Sequence, residues 1–228
     1  MRNPASIWGS FLTEFLHYLI FFLAFLIGSI PFGLLIARAF KVKDLTARGS
    51  GNIGATNVTR VLGFWPAGAL TFLLDFLKGF LPVFLAGREV FQGIWSHWLG
   101  SLDFGDGGVE FSANTIWAIG AAAVIGHCYS PWLKFKGGKG VATGVGALFA
   151  LSPLAALGGM VGFGLSFWEK KLGSLASLTG LILASIVHLA LFPVGAHLWF
   201  GGLMISIILI RHESNIDALL LNQEKSLV

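Results

Sequence analysis

Long apolar stretches dominate the chain, and the polar residues gather in short segments between them. A helix needs about 20 apolar residues to cross the hydrocarbon core of a bilayer. Five blocks come close to that length: 15–39, 64–86, 114–133, 175–192 and 195–210. A further stretch, 138–167, is too long for one span and contains Ser152-Pro153, a strong helix break. The pattern predicts an all-α, polytopic transmembrane helix bundle.

Basic residues predict which segments face the cytoplasm. Segments 41–60 and 134–139 hold clusters of Lys and Arg, which mark the cytoplasmic side of a membrane protein. The Lys170-Lys171 pair reaches the same side only if the chain crosses the bilayer twice within 140–169, which a break near Pro153 allows. We therefore expect about seven helices, with the N-terminus outside and the C-terminus cytoplasmic.

Composition supports a single integral membrane domain over residues 1–228. The chain is 55% hydrophobic and 11% charged, with a mean hydropathy of +0.80, whereas soluble domains carry about 25% charged residues. Cys128 is the sole cysteine, so no intramolecular disulfide is possible. The histidines do not cluster with Cys or carboxylates, so we expect no metal and no cofactor. Membrane lipid is the expected surrounding partner, and no nucleic-acid partner is expected.

The segment 49–60 is dense in glycine and short hydrogen-bonding side chains, and it ends in an arginine. Glycines let backbone N–H groups approach an anion, and Arg offers a forked donor for phosphate. A solvated loop with a helix cap is the alternative. Ser50 has no neighbouring His and no Gly-x-Ser-x-Gly elbow, so a donor role is favoured over a nucleophile. The candidate binding residues are Ser50, Asn52, Thr56, Asn57 and Arg60.

A second glycine-rich segment precedes an apolar helix. Backbone N–H groups and the positive end of a helix dipole make an anion site, to which Lys139 adds a point charge. The segment is not a Walker A loop, because Leu133 replaces the first glycine and Gly140 follows the lysine, so ATP is not indicated. The alternative is a positive-inside anchor with a flexible turn, which explains Lys134 and Lys136 but not the glycines. The expected phosphate cradle consists of Gly137, Gly138, Lys139 and Gly140.

The third polar segment, 211–217, closes the last apolar block. His212 and Asn215 share a face if the helix continues through them. Histidine there could serve as a general base, a hydrogen-bond partner or an interface residue. His212 and Asp217 also match an H-x4-D pattern, but residues five apart lie on different faces of a continuous helix, so we treat this match as accidental.

Two charged residues, Asp75 and Lys78, lie within the second apolar block. Intramembrane charges are candidates for function by default. At this i,i+3 spacing they can instead neutralise each other, or Lys78 can extend its amine outward to the interface. A structural role is the favoured interpretation.

Five stretches together resemble the bacterial acyl-phosphate:glycerol-3-phosphate acyltransferase family. They occur in family order and cover about 27–220: 28–32, 50–57, 75–79, 135–143 and 211–216. The acidic, glycine-rich stretch near 101–110 and the leading 14 residues look like additions outside the family core.

The resemblance implies transfer of an acyl chain from acyl phosphate to the sn-1 hydroxyl of glycerol-3-phosphate, giving lysophosphatidic acid and phosphate in the bacterial cytoplasmic (inner) membrane. Functional coupling to the enzyme that makes acyl phosphate is possible. The expected catalytic residues are Ser50, Arg60, Lys139, His212 and Asn215. The expected substrate-binding residues are Asn52, Thr56, Asn57, Gly137, Gly138, Gly140 and Arg211.

The alternative function is a membrane transporter of an organophosphate. A transporter needs its binding elements near the bilayer midplane, with access from both sides. Here the candidate residues gather at one predicted face, which favours an enzyme.

Overall fold

The computed structural model describes residues 4–87, 111–192, 195 and 197–227, and these are helical apart from short connections. The acidic stretch 101–110 lies outside them. The all-α prediction is confirmed for the described part of the chain. Its helices are α1 Pro4–Ser29, α2 Phe32–Ala39, α3 Ala55–Leu62, α4 Ala69–Ala86, α5 Ala113–Cys128, α6 Val141–Leu151, α7 Pro153–Lys170, α8 Gly173–Leu191, α9 His197–Ile210 and α10 Glu213–Leu220.

Several of these helices are suited to a bilayer. Four stretches within the described residues are long and apolar enough to cross a membrane: Glu14–Ala39, Phe64–Ala86, Ala113–Leu133 and Gly173–Leu191. Two shorter apolar helices, Val141–Leu151 and Leu198–Ile210, accompany them. The central element is α5, which packs against α1, α4, α6 and α9, while α7 and α8 form a closely packed pair beside α6.

The first apolar block, predicted as one stretch over 15–39, is interrupted between Ser29 and Phe32. Helix α1 ends at Ser29 and α2 begins at Phe32, because Pro31 cannot continue the α1 hydrogen-bond pattern. Backbone carbonyls freed in a membrane must find donors within the protein. Ser130 Oγ donates to the Ser29 carbonyl at 2.7 Å, and Lys78 Nζ donates to the Ile30 carbonyl at 2.8 Å.

Lys78 is therefore directed inward, and the alternative that its amine extends outward is wrong. Its Nζ lies 2.7 Å from Asp75 Oδ1, and both side chains are almost fully buried. Each charge is compensated by the other at i,i+3 spacing, which is the structural role favoured from the sequence.

The predicted break near Pro153 is confirmed. Helix α6 ends at Leu151, and Pro153 begins α7 at a position where its missing N–H costs nothing. With 11 residues, α6 is about 16 Å long. It is short, yet it packs tightly on α4, because a Cβ on Gly146 would overlap the Phe76 carbonyl and one on Gly79 would overlap the Thr143 carbonyl. Small residues that let backbones approach are typical of membrane helix interfaces.

Candidate active site

One large cavity, about 490 Å³ in volume, runs from a polar mouth into the apolar interior of the bundle. Most of the residues predicted to form the site line its mouth: Ser50, Asn52, Thr56, Asn57, Arg60, Lys139, Gly140, His212 and Asn215. A smaller adjoining cavity of about 300 Å³ is lined in part by Arg211 together with Ser50, Lys139 and Asn215. Thus three segments far apart in sequence meet at one place.

Asn57 organises the first of these segments. Its side chain is buried, and its Oδ1 accepts the backbone N–H of Ser50 at 2.8 Å. Its Nδ2 donates to the carbonyls of Arg48 at 3.1 Å and Asn52 at 2.7 Å. Both ends of the amide are therefore hydrogen-bonded to the loop. We interpret Asn57 as a residue that positions the loop, and not as one that binds the substrate directly. The exposed Ser50 and Thr56 and the half-buried Asn52 stay at the mouth of the cavity.

Arg60 extends from the last turn of α3 toward the cavity. One guanidinium nitrogen, Nη2, donates to the carbonyls of Lys225 and Ser226 at 3.3 and 3.5 Å. The Nε atom is buried without a hydrogen-bond partner among the described residues. A buried donor that lacks an acceptor carries a free-energy cost, which an anionic ligand in the cavity would relieve.

The glycine loop, residues 137–140, does not form the predicted phosphate cradle with its backbone N–H groups at 137 and 138. The N–H of Gly137 donates to the Cys128 carbonyl at 3.1 Å, and that of Gly138 donates to the His127 carbonyl at 3.0 Å. Both amides are thus engaged with the end of α5, and the expectation that they bind an anion is wrong for this structure. Side chains are excluded at both positions because a Cβ would overlap His127 backbone or ring atoms. Gly140, with φ of +84°, caps α6 in the left-handed region that favours glycine.

Arg211 binds the same loop from the other side. Its Nε donates to the Gly138 carbonyl at 3.0 Å and its Nη2 to the Gly137 carbonyl at 2.6 Å. The forked guanidinium therefore holds two consecutive carbonyls, a geometry that lysine cannot reproduce. Arg211 fixes the position of Lys139, the next residue along the loop.

Lys139 lies at the centre of the mouth. Its Nζ donates to Asn215 Oδ1, and Asn215 Nδ2 donates to both carboxylate oxygens of Glu224 at 3.0 Å. Burial lowers the pKa of Lys139, the Glu224 carboxylate raises it, and the nearby Arg60 and Arg211 lower it, and together they bring the pKa to about 8. The amine is therefore a cation at neutral pH that titrates close to it.

His212 is fully enclosed beside this cluster, and the helix does not continue through it. Helix α9 ends at Ile210, and His212 precedes the first residue of α10, so the condition for a shared helical face with Asn215 is not met, although both residues line the cavity. Its Nδ1 lies 2.8 Å from the Ile208 carbonyl. Burial lowers the pKa of His212 to about 4, so the ring is neutral at pH 7. Since a carbonyl can only accept, Nδ1 carries the proton and Nε2 is left as an acceptor.

A buried polar cluster supports the mouth, and the sequence analysis missed His127 as part of it. His127 Nδ1 lies 3.0 Å from Thr143 Oγ1 and 3.7 Å from Asp75 Oδ1. Asp75 and His127 also line the cavity. The signal in the sequence was Gly126-His127 at the end of an apolar block, immediately before the basic loop.

The deeper part of the cavity is apolar and opens sideways. Phe72 of α4 and Met160 of α7 both line it while remaining exposed on the bundle surface. Val145, Leu148 and Phe163 line it further inside. The cavity therefore suits an amphiphile whose head carries negative charge and whose tail is a hydrocarbon. These features are those of an integral membrane protein with a cavity suited to an anionic amphiphile.

Comparison with known proteins identifies the family. Residues 18–222 match the family model for glycerol-3-phosphate acyltransferase. Glycerol-3-phosphate acyltransferases of Syntrophotalea carbinolica and Aquifex aeolicus are 42% and 41% identical to this chain. Those matches cover 91% and 88% of this chain and 95% and 94% of the relatives.

Comparison with solved structures identifies the same family. The glycerol 3-phosphate form of PlsY (YgiH), an integral membrane glycerol 3-phosphate acyltransferase, superposes with a TM-score of 0.76 at 37% identity. Its lysophosphatidic acid form gives 0.74. Each match covers 92% of this chain and 94% of the other. This chain belongs to the glycerol-3-phosphate acyltransferase family and is an acyltransferase of lipid biosynthesis. The comparisons do not support the alternative of a transporter.

The charge environment of Lys139 generates a test that is independent of turnover. A neutral amine reacts with acylating reagents and a charged one does not, so labelling of Lys139 against pH should have its midpoint near 8. Glu224→Gln should lower that midpoint, because it removes the carboxylate that favours the charged form. Peptide mass spectrometry measures the labelled fraction.

The exposed carboxylate of Asp217, which lines neither cavity, supplies the control, and Asp217→Asn should leave the midpoint unchanged. A Lys139 midpoint near the model lysine value of about 10.4 would contradict the assignment.

Proposed function

We propose that this chain transfers an acyl group from acyl phosphate to the sn-1 hydroxyl of glycerol-3-phosphate, forming lysophosphatidic acid and inorganic phosphate. The observation that carries the proposal is the joining of a basic mouth, with Arg60 and Lys139, to an apolar interior within one cavity. Both substrates carry phosphate, and one has a tail that belongs among membrane helices. Two anions brought together repel each other, so the mouth needs cations.

The reaction needs little chemical activation from the protein. The hydroxyl oxygen of glycerol-3-phosphate forms a bond to the acyl carbonyl carbon, and the bond from that carbon to the phosphate oxygen breaks. The phosphate leaves with the bonding electron pair. Because acyl phosphate is a mixed anhydride, the leaving group is already good, and the protein contributes orientation and charge stabilisation.

We assign the hydroxyl proton to a phosphate oxygen of a substrate. His212 is a poor base for this transfer because its pKa is about 4, whereas a phosphate monoester titrates near 6. Its Nε2 lone pair instead accepts a hydrogen bond from the other hydroxyl of glycerol-3-phosphate and thereby orients the substrate. Lys139 and Arg60 bind phosphate oxygens, and Ser50 adds a neutral donor.

The donor is acyl phosphate and not an acyl thioester of coenzyme A. The predicted polar segments at the mouth are short, and the described residues include no polar domain large enough to hold a nucleotide. Purified protein mixed with acyl phosphate and labelled glycerol-3-phosphate should form labelled lysophosphatidic acid. With acyl-coenzyme A under matched conditions, we expect no comparable product. Equal turnover with the thioester would refute the donor assignment.

We also propose seven membrane-spanning helices, with the N-terminus outside and the C-terminus and active site on the cytoplasmic side of the inner membrane. The N–H of Leu227 donates to the Lys171 carbonyl at 3.0 Å, and Arg60 binds the adjacent carbonyls of 225 and 226. These contacts support the same side for segments 41–60 and 170–171 and the C-terminal tail, as the basic residues predict.

Cysteine accessibility tests this topology. In a Cys128→Ser background, single cysteines replacing Lys136 and Glu213, which are both exposed, should be labelled from the cytoplasmic side alone. Labelling of the two positions from opposite sides would rule the arrangement out.

Substitution of Lys139 tests the phosphate-binding role. Lys139→Gln should lower kcat/KM by roughly 30- to 1000-fold, because a charge-assisted contact made in the transition state contributes about 2–4 kcal/mol. Thermal unfolding in the same detergent should change little, since Lys139 is only half-buried at the mouth. Lys139→Arg should also be slow, because a planar fork does not replace a compact ammonium in a tight glycine loop.

Lys134→Gln is the matched control from the same loop. Lys134 is exposed and does not line the cavity, so its loss should leave the rate near normal. The assignment fails if Lys139→Gln retains activity while Lys134→Gln loses it.

A further inference from the structure

Helix α8 presents one continuous face to the cavity. Residues three or four apart line it over most of the helix: Gly173, Ser177, Gly180, Ala184 and His188. At about 1.5 Å per residue, the 15 steps from Gly173 to His188 extend about 22 Å. The cavity therefore follows α8 from the polar mouth almost to the other end of the bundle.

The walls of this passage are mainly apolar beyond Ser174, whose Oγ lies at the end near the mouth without a hydrogen-bond partner among the described residues. Ser177 Oγ donates to the Gly173 carbonyl at 2.8 Å, and Ser185 Oγ donates to the Leu181 carbonyl at 2.8 Å. Hydroxyls bonded back to the preceding turn in this way offer no free donor to a ligand. Small residues dominate the face of α8 that lines the passage, and Leu181 is the large apolar side chain that α8 adds to the wall before His188.

The passage ends where aromatic rings from two helices meet. The rings of Trp117 of α5 and His188 of α8 are 5.1 Å apart between centroids, at an interplanar angle of 57°. His188 in turn stacks on Phe192 at 4.9 Å. Trp117 and His188 are each only 8% exposed, and both line the cavity. Helix α9 closes the third side, since a Cβ on Gly201 would lie 3.4 Å from the Trp117 ring.

We propose that Trp117, His188 and Gly201 form a floor that sets the length of acyl chain the enzyme accepts. This inference rests on the proposed function to the extent that the apolar passage holds the acyl chain. Each methylene buried above the floor adds about fourfold to affinity, since burial of a methylene contributes about 0.8 kcal/mol. A chain that reaches the floor gains nothing from further carbons, because the rings are held by packing from three helices.

The test compares binding of lysophosphatidic acids of increasing chain length, measured by calorimetry in a fixed detergent. For the wild type, affinity should rise by about fourfold per methylene and then level off or fall. Trp117→Ala lengthens the passage, so the levelling point should move to longer chains. Gly201→Leu fills space beside the floor, so the levelling point should move to shorter chains, with little change for the shortest ones.

Trp199→Ala is the matched control. Trp199 also lies on α9, two residues from Gly201, but it is 82% exposed on the outer surface. This variant should keep the wild-type chain-length profile. Thermal unfolding of every variant shows which ones are folded. Gly201→Leu adds atoms at the floor and Trp117→Ala removes them, so either variant alone tests the proposal.

Two results would overturn the proposal: folded variants at Trp117 and Gly201 that keep the wild-type profile, or a shift in Trp199→Ala as large as theirs. Because the readout is binding, it does not depend on the acyl donor. The wild-type protein could show the expected chain-length profile and yet form no lysophosphatidic acid from acyl phosphate. The proposed reaction would then be wrong, while the proposal of a floor would stand.

Discussion

The structure depends on one constraint: backbone groups that leave a helix beside an apolar interior must still be hydrogen-bonded. The glycine loop satisfies this constraint for its backbone N–H groups and for its carbonyls. Its amides at 137 and 138 donate to the end of α5, and its carbonyls at the same two residues accept from Arg211. A loop held at four points keeps Lys139 in place, with its ammonium at the mouth of the cavity beside Asn215.

A buried ion pair links this loop to the break between α1 and α2. Lys78 donates to the Ile30 carbonyl, Asp75 neutralises Lys78, and His127 lies beside Asp75 while its own carbonyl accepts from Gly138. Removing either partner of a buried pair leaves an uncompensated charge, which costs far more than the pair itself contributes. The charges for which a structural role was favoured from the sequence therefore also position the polar mouth.

Sequence patterns predicted the helices of this protein better than they predicted the hydrogen-bond partners of its polar atoms. Apolar runs and Pro153 gave the helices and the break at α6, because these follow from length and from a missing N–H. Pro31 lacks the same N–H and marks the break at Ile30 in the same way. Residue type could not show that Asn57 is committed to its own loop, or that the amide of Gly138 is already bonded, because both depend on contacts between segments distant in sequence.

The assignment of His212 shows why such contacts decide chemistry. A histidine near pH 7 can carry its proton on either nitrogen or on both, and the sequence does not distinguish these states. Enclosure beside Lys139 keeps the ring neutral, and the Ile208 carbonyl places the proton on Nδ1. What remains at Nε2 is a lone pair that can accept a hydrogen bond, which is the use that the proposed reaction makes of it. An acyl phosphate donor, as proposed, already carries an activated leaving group, so such a reaction would need mainly groups that bind phosphate.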